Sequence, residues 1–150
     1  MSWITITIDT LKEAKVAALI EACDSAALGE SQDNRAAGKI QGVVDLVRNA
    51  IKGCPSRRVD EDETTIPAAL RDLAVKLIIA ELKDAIEQEL TDYETDSVAW
   101  ARRELTAIRS CDYPIETPDT PVEPEIESGG AVKVITKNPR PLSSDSLSGL

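Results

Sequence analysis

The sequence lacks histidine and phenylalanine, and among its 150 residues only four are aromatic: Trp3, Tyr93, Trp100 and Tyr113. Without an imidazole, acid–base catalysis near neutral pH would depend on carboxylates or lysines, and no cysteine thiol has a histidine to activate it. The phosphate-binding patterns GxxxxGK[ST] and GxGxxG and the nucleophile pattern GxSxG are also absent from the sequence. We therefore predict that the chain is not an enzyme and binds no cofactor.

Cysteine is scarce as well, since Cys23, Cys54 and Cys111 lie far apart and form no CxxC pair. A structural zinc site uses about four ligands, usually in closely spaced pairs, and a secreted disulfide framework uses an even number of cysteines. We predict three reduced thiols and no metal site. Neither a signal-peptide pattern nor an uncharged apolar run of about 18 residues occurs, which predicts synthesis in a cytoplasm and no membrane contact.

Acidic residues outnumber basic ones, which gives a formal net charge of −10. A protein that binds nucleic-acid phosphates needs a basic patch, so this charge disfavours that function. The charge serves solubility, or it keeps a passing polyanion from adhering to the surface. The densest acidic run, Asp60–Glu63, lacks the glycine turn and spaced ligands of a calcium loop, and we interpret it as a solvated loop.

The segment Ile66–Leu90 has strong helical periodicity. Pro67 suits the first turn of a helix, where its fixed φ is favourable and its missing N–H is not needed, and Thr64 or Thr65 can cap that turn. Apolar residues recur there at steps of three and four, and they cover most of the circumference: Ile66, Leu70, Leu73, Ala74, Val75, Leu77, Ile78, Ile79, Leu82 and Ile86. We predict a central helix with neighbours on several sides.

Three further helices are predicted, over residues 11–28, 33–53 and 97–111. The first has a weak stripe of small side chains: Leu11, Ala14, Ala18 and Ala22. The second has a clear apolar stripe: Ile40, Val43, Val44, Val47 and Ile51. The third, capped by Thr95 or Asp96, has another: Val98, Ala101, Leu105 and Ile108.

Three glycines mark the second of these helices. Gly53 lies at its end, where a capping glycine is common. Gly38 and Gly42 lie inside it, and each costs roughly 1 kcal/mol against alanine in a helix interior. We expect close approach of another helix to compensate for that cost.

The two ends of the chain have strand character. Residues Trp3–Ile8 alternate strictly, with Ile4, Ile6 and Ile8 on one face and threonines on the other. Residues 131–136, AVKVIT, follow a stretch rich in proline and acid that cannot bury enough to fold alone. We expect the second strand to pair with the first, or with a neighbouring copy by strand addition.

These patterns predict a mainly α fold: a small four-helix bundle with a short N-terminal strand and an extended C-terminal arm carrying a short strand. The helical domain covers residues 1–111, and a proline- and acid-rich linker covers residues 112–130. Residues 131–150 form an arm that docks on a neighbouring subunit or partner.

Four stretches of sequence also carry a family resemblance. They are WITIT, DNRAAGKIQGVVDLVRNAI, TIPAALRDLAVKLIIAEL and NPRPLSSDSLSGL, in that order. The valine pair before an arginine, the IPxxLxxxA entry into the main helix and the C-terminal ending resemble the head–tail connector (adaptor, or head-completion) proteins of tailed bacteriophages, of the Mu-like type. The matching residues of the ending are Pro139, Arg140, Leu142, Asp145, Leu147 and Gly149, with Leu142 where the family often has an aromatic residue.

The resemblance implies a structural virion protein at the head–tail junction, made in the host cytoplasm. It implies a homo-oligomeric ring of about twelve copies beneath the portal, closed by cyclic symmetry. The implied partners are the portal protein and a downstream neck or tail-terminator protein, while DNA passes through the lumen without specific binding. We expect the subunit and partner contacts to involve Trp3, Ile4, Ile6, Ile8, Val132, Val134, Ile135, Pro139, Arg140, Leu142 and Leu147.

The alternative interpretation is a cytoplasmic helical binding or regulatory module that uses its C-terminal tail to engage a protein partner. Neighbouring genes for portal, capsid or tail proteins would favour the connector. A neighbouring toxin gene or operator would favour the regulatory module.

Overall fold

The computed structural model describes residues 3–12, 14–26 and 34–121. Over these residues the chain is mainly helical, with four α-helices and one two-stranded sheet. The elements in chain order are β1 (Trp3–Thr5), α1 (Ala14–Ser25), α2 (Arg35–Lys52), β2 (Thr65–Pro67), α3 (Arg71–Ala85) and α4 (Asp92–Arg109). Short 3₁₀ turns, Ile8–Thr10 and Ala68–Leu70, precede α1 and α3. The predicted mainly α fold class, with four helices and a short N-terminal strand, is confirmed, while the predicted strand of the C-terminal arm lies outside the described residues.

Helix α3 lies at the centre of the fold and contacts each of the other three helices. Its buried apolar side chains cover several sides of the helix: Leu73, Ala74, Val75, Leu77, Ile78 and Leu82. Fully burying one leucine or isoleucine side chain stabilises a fold by about 1.5–3 kcal/mol. The prediction of a central helix is therefore confirmed, and this helix contributes a large part of the core.

The predicted start of that helix is wrong, because Pro67 belongs to a strand. Its backbone is extended, with φ −54° and ψ 134°, and β2 pairs antiparallel with β1 so that Ile4 faces Ile66 and Trp3 faces Pro67. The Ile6 N–H donates to the Thr64 carbonyl oxygen (2.9 Å). Pairs of residues along antiparallel strands alternate between those that exchange backbone hydrogen bonds and those that do not. Pro67 therefore lies in a pair that exchanges none, where its missing N–H is not needed. Strand pairing thus prevails over local helical preference up to residue 67.

The C-terminal end of α3 and the end of the N-terminal strand also differ from the prediction. Helix α3 stops at Ala85 instead of Leu90, and Glu87 beyond it has a left-handed φ of 55°. The N-terminal strand is shorter than predicted, since β1 ends at Thr5 and Ile8 begins a 3₁₀ turn.

Helix α1 buries its larger apolar residues instead of the predicted alanines. Ala18 and Ala22 are exposed, and Leu11 is buried but precedes the helix. The buried residues of α1 are Val16, Leu19, Ile20 and Cys23. Because the free energy of burial grows with apolar area, the bulkier side chains determine which face turns inward. The predicted small-residue stripe is wrong.

Helices α2 and α4 bury the apolar stripes that periodicity predicts, and both predictions are confirmed. The buried residues are Ile40, Val43, Val44, Val47 and Ile51 on α2 and Val98, Ala101, Leu105 and Ile108 on α4. Helix α4 starts earlier than predicted, because Thr91 caps it. The Thr91 hydroxyl accepts from the Glu94 N–H (3.3 Å), and the Glu94 carboxylate accepts from the Thr91 N–H (2.9 Å), which forms a capping box.

The carboxylate of Glu94 also joins three helices. It accepts hydrogen bonds from Lys83 of α3 (2.7 Å) and Lys15 of α1 (2.5 Å), and the side chains of Glu94 and Lys83 are each only 8% exposed. The bonds from Lys15, Lys83 and the Thr91 N–H hold the pKa of Glu94 well below its usual range. This ionic cluster fixes the N-terminal turn of α4 against α1 and α3.

Replacing Glu94 by glutamine removes the shared carboxylate and leaves Lys83 buried without its anion. We expect the free energy of unfolding at pH 7 to fall by about 3–5 kcal/mol, the cost of removing one partner of a buried ion pair. Folding lowers the pKa of Glu94, so the wild-type contribution is present above the unfolded pKa of about 4.3. It is lost as the pH falls through the folded pKa. Urea unfolding of the wild type and the variant at pH 7 and at pH 3 measures the loss of stability and its decrease at low pH.

Glu81→Gln is the matched control for this substitution. The Glu81–Lys39 pair (3.2 Å) lies at the surface, where the Glu81 side chain is 47% exposed, so its loss should cost less than about 1 kcal/mol. Equal destabilisation by the two substitutions would contradict the role of the Glu94 cluster.

The glycines of α2 have different surroundings from those expected. Gly38 and Gly42 are exposed, and a Cβ added at either would meet nothing within 4 Å in the described structure. The expected helix contact is therefore not found among the described residues. Gly53 is different, since a Cβ there would lie 2.7 Å from Arg109 Cγ and 3.2 Å from the Ala50 carbonyl oxygen. Its backbone is right-handed, with φ −62°, so Gly53 gives room to Arg109 and does not supply a left-handed cap.

We expect Gly42→Ala to stabilise the free subunit by about 1 kcal/mol, because alanine lowers the backbone entropy cost of a helix interior and meets no obstacle here. Gly53→Ala should destabilise it, because Arg109 and the end of α2 must shift. Thermal or urea unfolding of each variant beside the wild type shows whether the substitution raises or lowers the free energy of unfolding. A loss of stability in Gly42→Ala would show that this face of α2 is already covered in the free chain.

Candidate functional site

The structure places the base of the C-terminal arm firmly against the helical domain. Cys54, just after α2, and Cys111, just after α4, form a disulfide with Cα atoms 5.4 Å apart. The prediction of three reduced thiols is wrong, because the fold brings together two helix ends that are distant in sequence. The remaining thiol, Cys23, is fully buried in α1, and burial raises its pKa.

Beyond the disulfide, two arginines bind backbone carbonyls in the last turn of α4 and in the segment that follows it. The Arg57 guanidinium donates to the carbonyl oxygens of Ile108 (3.1 Å) and Tyr113, and Arg58 donates to the carbonyl oxygen of Thr120 (2.8 Å). A guanidinium suits this role because it presents several donors in a fixed fork and stays charged. The contacts follow the arm over about ten residues.

Two side chains from other parts of the chain complete these contacts. The Trp3 indole N–H donates to the carbonyl oxygen of Glu116 (3.2 Å), and the Thr120 hydroxyl donates to the Asp60 carboxylate (2.7 Å). The bond from Thr120 is the main cause that lowers the pKa of Asp60. Pro118, between these anchor points, is buried. We call the set that holds residues 111–120 the arm clasp: Trp3, Cys54, Arg57, Arg58 and Asp60.

The arm clasp changes where the arm begins. The predicted extended linker covers residues 112–130, yet the backbone of Tyr113, Glu116 and Thr120 is bonded to the helical domain. The contacts with the helical domain therefore continue to Thr120, at the end of the described residues, instead of ending at residue 111.

Arg48 contacts two residues of the clasp from the interior of the domain. Its side chain is 5% exposed, and it donates to the carbonyl oxygens of Asp60 (2.6 Å), Asp62 (2.8 Å) and Thr65 (2.8 Å). Its guanidinium also lies over the Trp3 ring, 5.8 Å from the centroid, within the range of a cation–π contact. One buried cation thus positions two members of the clasp, Trp3 and Asp60.

Three of the four acidic residues in the run Asp60–Glu63 are exposed, whereas the Asp60 carboxylate accepts from Thr120. Asp62 accepts hydrogen bonds from the N–H (2.9 Å) and the hydroxyl (2.7 Å) of Thr64, which lower the pKa of Asp62. The side chains of Glu61 and Glu63 are exposed. The prediction of a solvated acidic loop is confirmed for Glu61, Asp62 and Glu63 but is wrong for Asp60, which is half-buried and bonded to Thr120.

The predicted interface residues of the N-terminal segment occupy different environments. Trp3 (8% exposed) and Ile6 (1% exposed) belong to the core of the helical domain, while Ile4 and Ile8 are half-buried and pack against that core. Of the four predicted interface residues in this segment, Ile4 and Ile8 are therefore the two that are accessible to a partner. The predicted interface residues of the arm lie outside the described residues: Val132, Val134, Ile135, Pro139, Arg140, Leu142 and Leu147.

Sequence reasoning missed four members of the clasp: Cys54, Arg57, Arg58 and Asp60. Arg57 and Arg58 stand out only as two cations next to an acidic run, a pattern that usually marks a solvated loop. Their partners are backbone carbonyls 51 to 62 positions away. A carbonyl acceptor carries no residue-type signal, so the sequence alone could not reveal these contacts.

The arm clasp consists of a disulfide and of hydrogen bonds between segments that are distant in sequence. Among the described residues, no group of three or more His, Cys, Asp or Glu side chains could hold a metal ion. Every buried side-chain nitrogen or oxygen in the same part of the chain has a hydrogen-bond partner. No described helix is long and apolar enough to cross a membrane.

Comparisons with protein-family models, curated proteins and solved structures found no match to this chain.

Reduction of the Cys54–Cys111 bond should lower the free energy of unfolding by about 4 kcal/mol. The bond joins cysteines 57 positions apart, and opening a loop of that length raises the entropy of the unfolded chain. Urea unfolding with and without dithiothreitol measures the change. The double variant Cys54→Ala/Cys111→Ala is the control, and its stability should not respond to the reductant. A wild-type protein equally unaffected by dithiothreitol would contradict the disulfide.

Proposed function

We propose that this protein is a head–tail adaptor, a structural virion protein that forms a ring beneath the portal and joins the capsid to the tail. The observation that carries the proposal is the arm clasp, which fixes the start of the remaining C-terminal arm on the surface of a small helical body. In a ring with cyclic symmetry, every copy presents the same surfaces to its neighbour. An arm that leaves each copy from the same fixed point can reach the same position on the next copy.

The amino-acid pattern supports the same role. The resemblance of the four stretches to the connector family covers the N-terminal segment, α2, α3 and the end of the arm. The helical body would form the wall of the ring. The arm would contact a neighbouring subunit, the portal protein or a downstream neck or tail-terminator protein.

The charge of the chain is also favourable for a channel that DNA traverses. The net charge is −10, and exposed carboxylates cluster beside the arm clasp at Glu61, Asp62 and Glu63. Like charges repel the phosphate backbone, so an acidic wall would let DNA pass without adhering. The acidic surface thus supports passage of DNA and opposes specific binding to it.

The test is electron microscopy of lysates from a host that carries the phage with a nonsense mutation in this gene. We expect DNA-filled or leaking heads beside separate, complete tails, because the joint between them is missing. A plasmid copy of the wild-type gene should restore joined, infectious particles. Normal particles without the protein would overturn the adaptor proposal and leave the helical binding module as the function to test.

A further inference from the structure

An open apolar groove lies between the 3₁₀ turn that follows β1 and helix α1. Its volume is about 320 Å³, and its apolar lining is formed by Ile8, Leu11, Ala17 and Ile20. Leu11 and Ile20 form a buried floor, 1% and 8% exposed. Ile8 is half-buried and Ala17 is exposed, so both can accept a further contact without any change in the core.

The rim of the groove is polar and carries a net negative charge. Asp9 and Glu21 contribute two carboxylates, and Lys12 contributes one ammonium group. An apolar groove edged in this way fits an extended peptide that is apolar on one side and basic on the other.

One segment of this chain has that chemistry, the arm segment of residues 131–142. Val132, Val134 and Ile135 supply apolar side chains, and three basic residues follow or separate them: Lys133, Lys137 and Arg140. No acidic residue occurs in the segment, although the chain as a whole has a net charge of −10. Its charge is therefore opposite to that of the groove rim.

The arm clasp determines how far this segment can reach. Thr120 is held on Asp60, and residues 121–130 form the tether to the first residue of the segment. Ten extended residues span at most about 33–36 Å, whereas a body of about 100 residues has a radius of gyration of about 13 Å. The tether is thus about as long as the body is wide, which suffices for a groove on the near side of an abutting copy.

We propose that the groove of each subunit binds residues 131–136 of the neighbouring copy, with Val132 or Val134 in contact with Ala17 and Ile20. This inference rests on the proposed ring and names the receptor of the arm within it. Lys133, and Lys137 directly after the docked residues, then lie beside Asp9 and Glu21. Each copy would give an arm to one neighbour and receive an arm from the other, which gives a contact that closes around the ring.

Disulfide cross-linking between full-length chains tests the contact. One chain carries Val134→Cys, and a second chain of different mass, extended by an affinity tag, carries Ala17→Cys. The native Cys54–Cys111 bond stays intact, and Cys23 is fully buried, so copper phenanthroline oxidises mainly the two introduced thiols. We expect a cross-linked heterodimer in at least tenfold higher yield than with the control Ala99→Cys, another exposed alanine, on α4.

Two outcomes would overturn the proposal. Equal yields from Ala17→Cys and Ala99→Cys would show that the arm has no preference for the groove. In a single chain carrying both Val134→Cys and Ala17→Cys, a link formed only within the chain would show that the arm occupies its own groove.

A second pair of variants tests the groove in the assembled particle. Ala17→Arg fills the groove, whereas Ala18→Arg places the same side chain on the adjacent exposed position, outside it. Complementation of the nonsense mutant should give at least tenfold fewer infectious particles with Ala17→Arg than with Ala18→Arg. Circular dichroism of both purified proteins verifies that each variant is folded. Equal titres, with heads and tails still separate in the mutant lysate, would remove the groove contact and leave the adaptor function standing.

Discussion

The buried guanidinium of Arg48 is the interaction on which the geometry of the arm base depends. It binds three carbonyl oxygens of the loop that leads into β2 and lies over the ring of Trp3. Trp3 and Asp60, both in contact with Arg48, bind the arm at Glu116 and Thr120. A buried cation without its acceptors is energetically costly. The contacts of Arg48 therefore hold the loop before β2, the strand β1 and the base of the arm in one arrangement.

The helical body provides a rigid base for this joint with few large side chains. Ala74 and Ala101 are fully buried where α3 and α4 lie among their neighbours, and such small residues let helices approach closely. The Glu94 cluster adds a polar connection between α1, α3 and α4, and the disulfide connects the ends of α2 and α4. The low aromatic content is thus offset by close packing and by cross-links between helices.

Local patterns predicted the parts of the fold that local physics decides. The apolar stripes of α2, α3 and α4 follow helical periodicity, so sequence located them correctly. The helical start at Pro67 failed because pairing with β1, more than 60 positions away in sequence, decides the conformation there. The disulfide and the arm clasp were missed for the same reason, since both join chain segments that only the tertiary fold brings together. The groove beside Ile8 likewise exists only once β1 and α1 are in place.

The most direct test of the arm clasp uses the only two tryptophans of the chain. The Trp3 indole N–H is bonded to the carbonyl oxygen of Glu116, whereas Trp100 is 37% exposed, with Lys76 over its ring. Hydrogen exchange of the two indole N–H groups, followed by NMR on ¹⁵N-labelled protein, compares them within one molecule. The account predicts that the Trp3 signal exchanges much more slowly than that of Trp100. Equally fast exchange of both signals would contradict an arm that is held at its base.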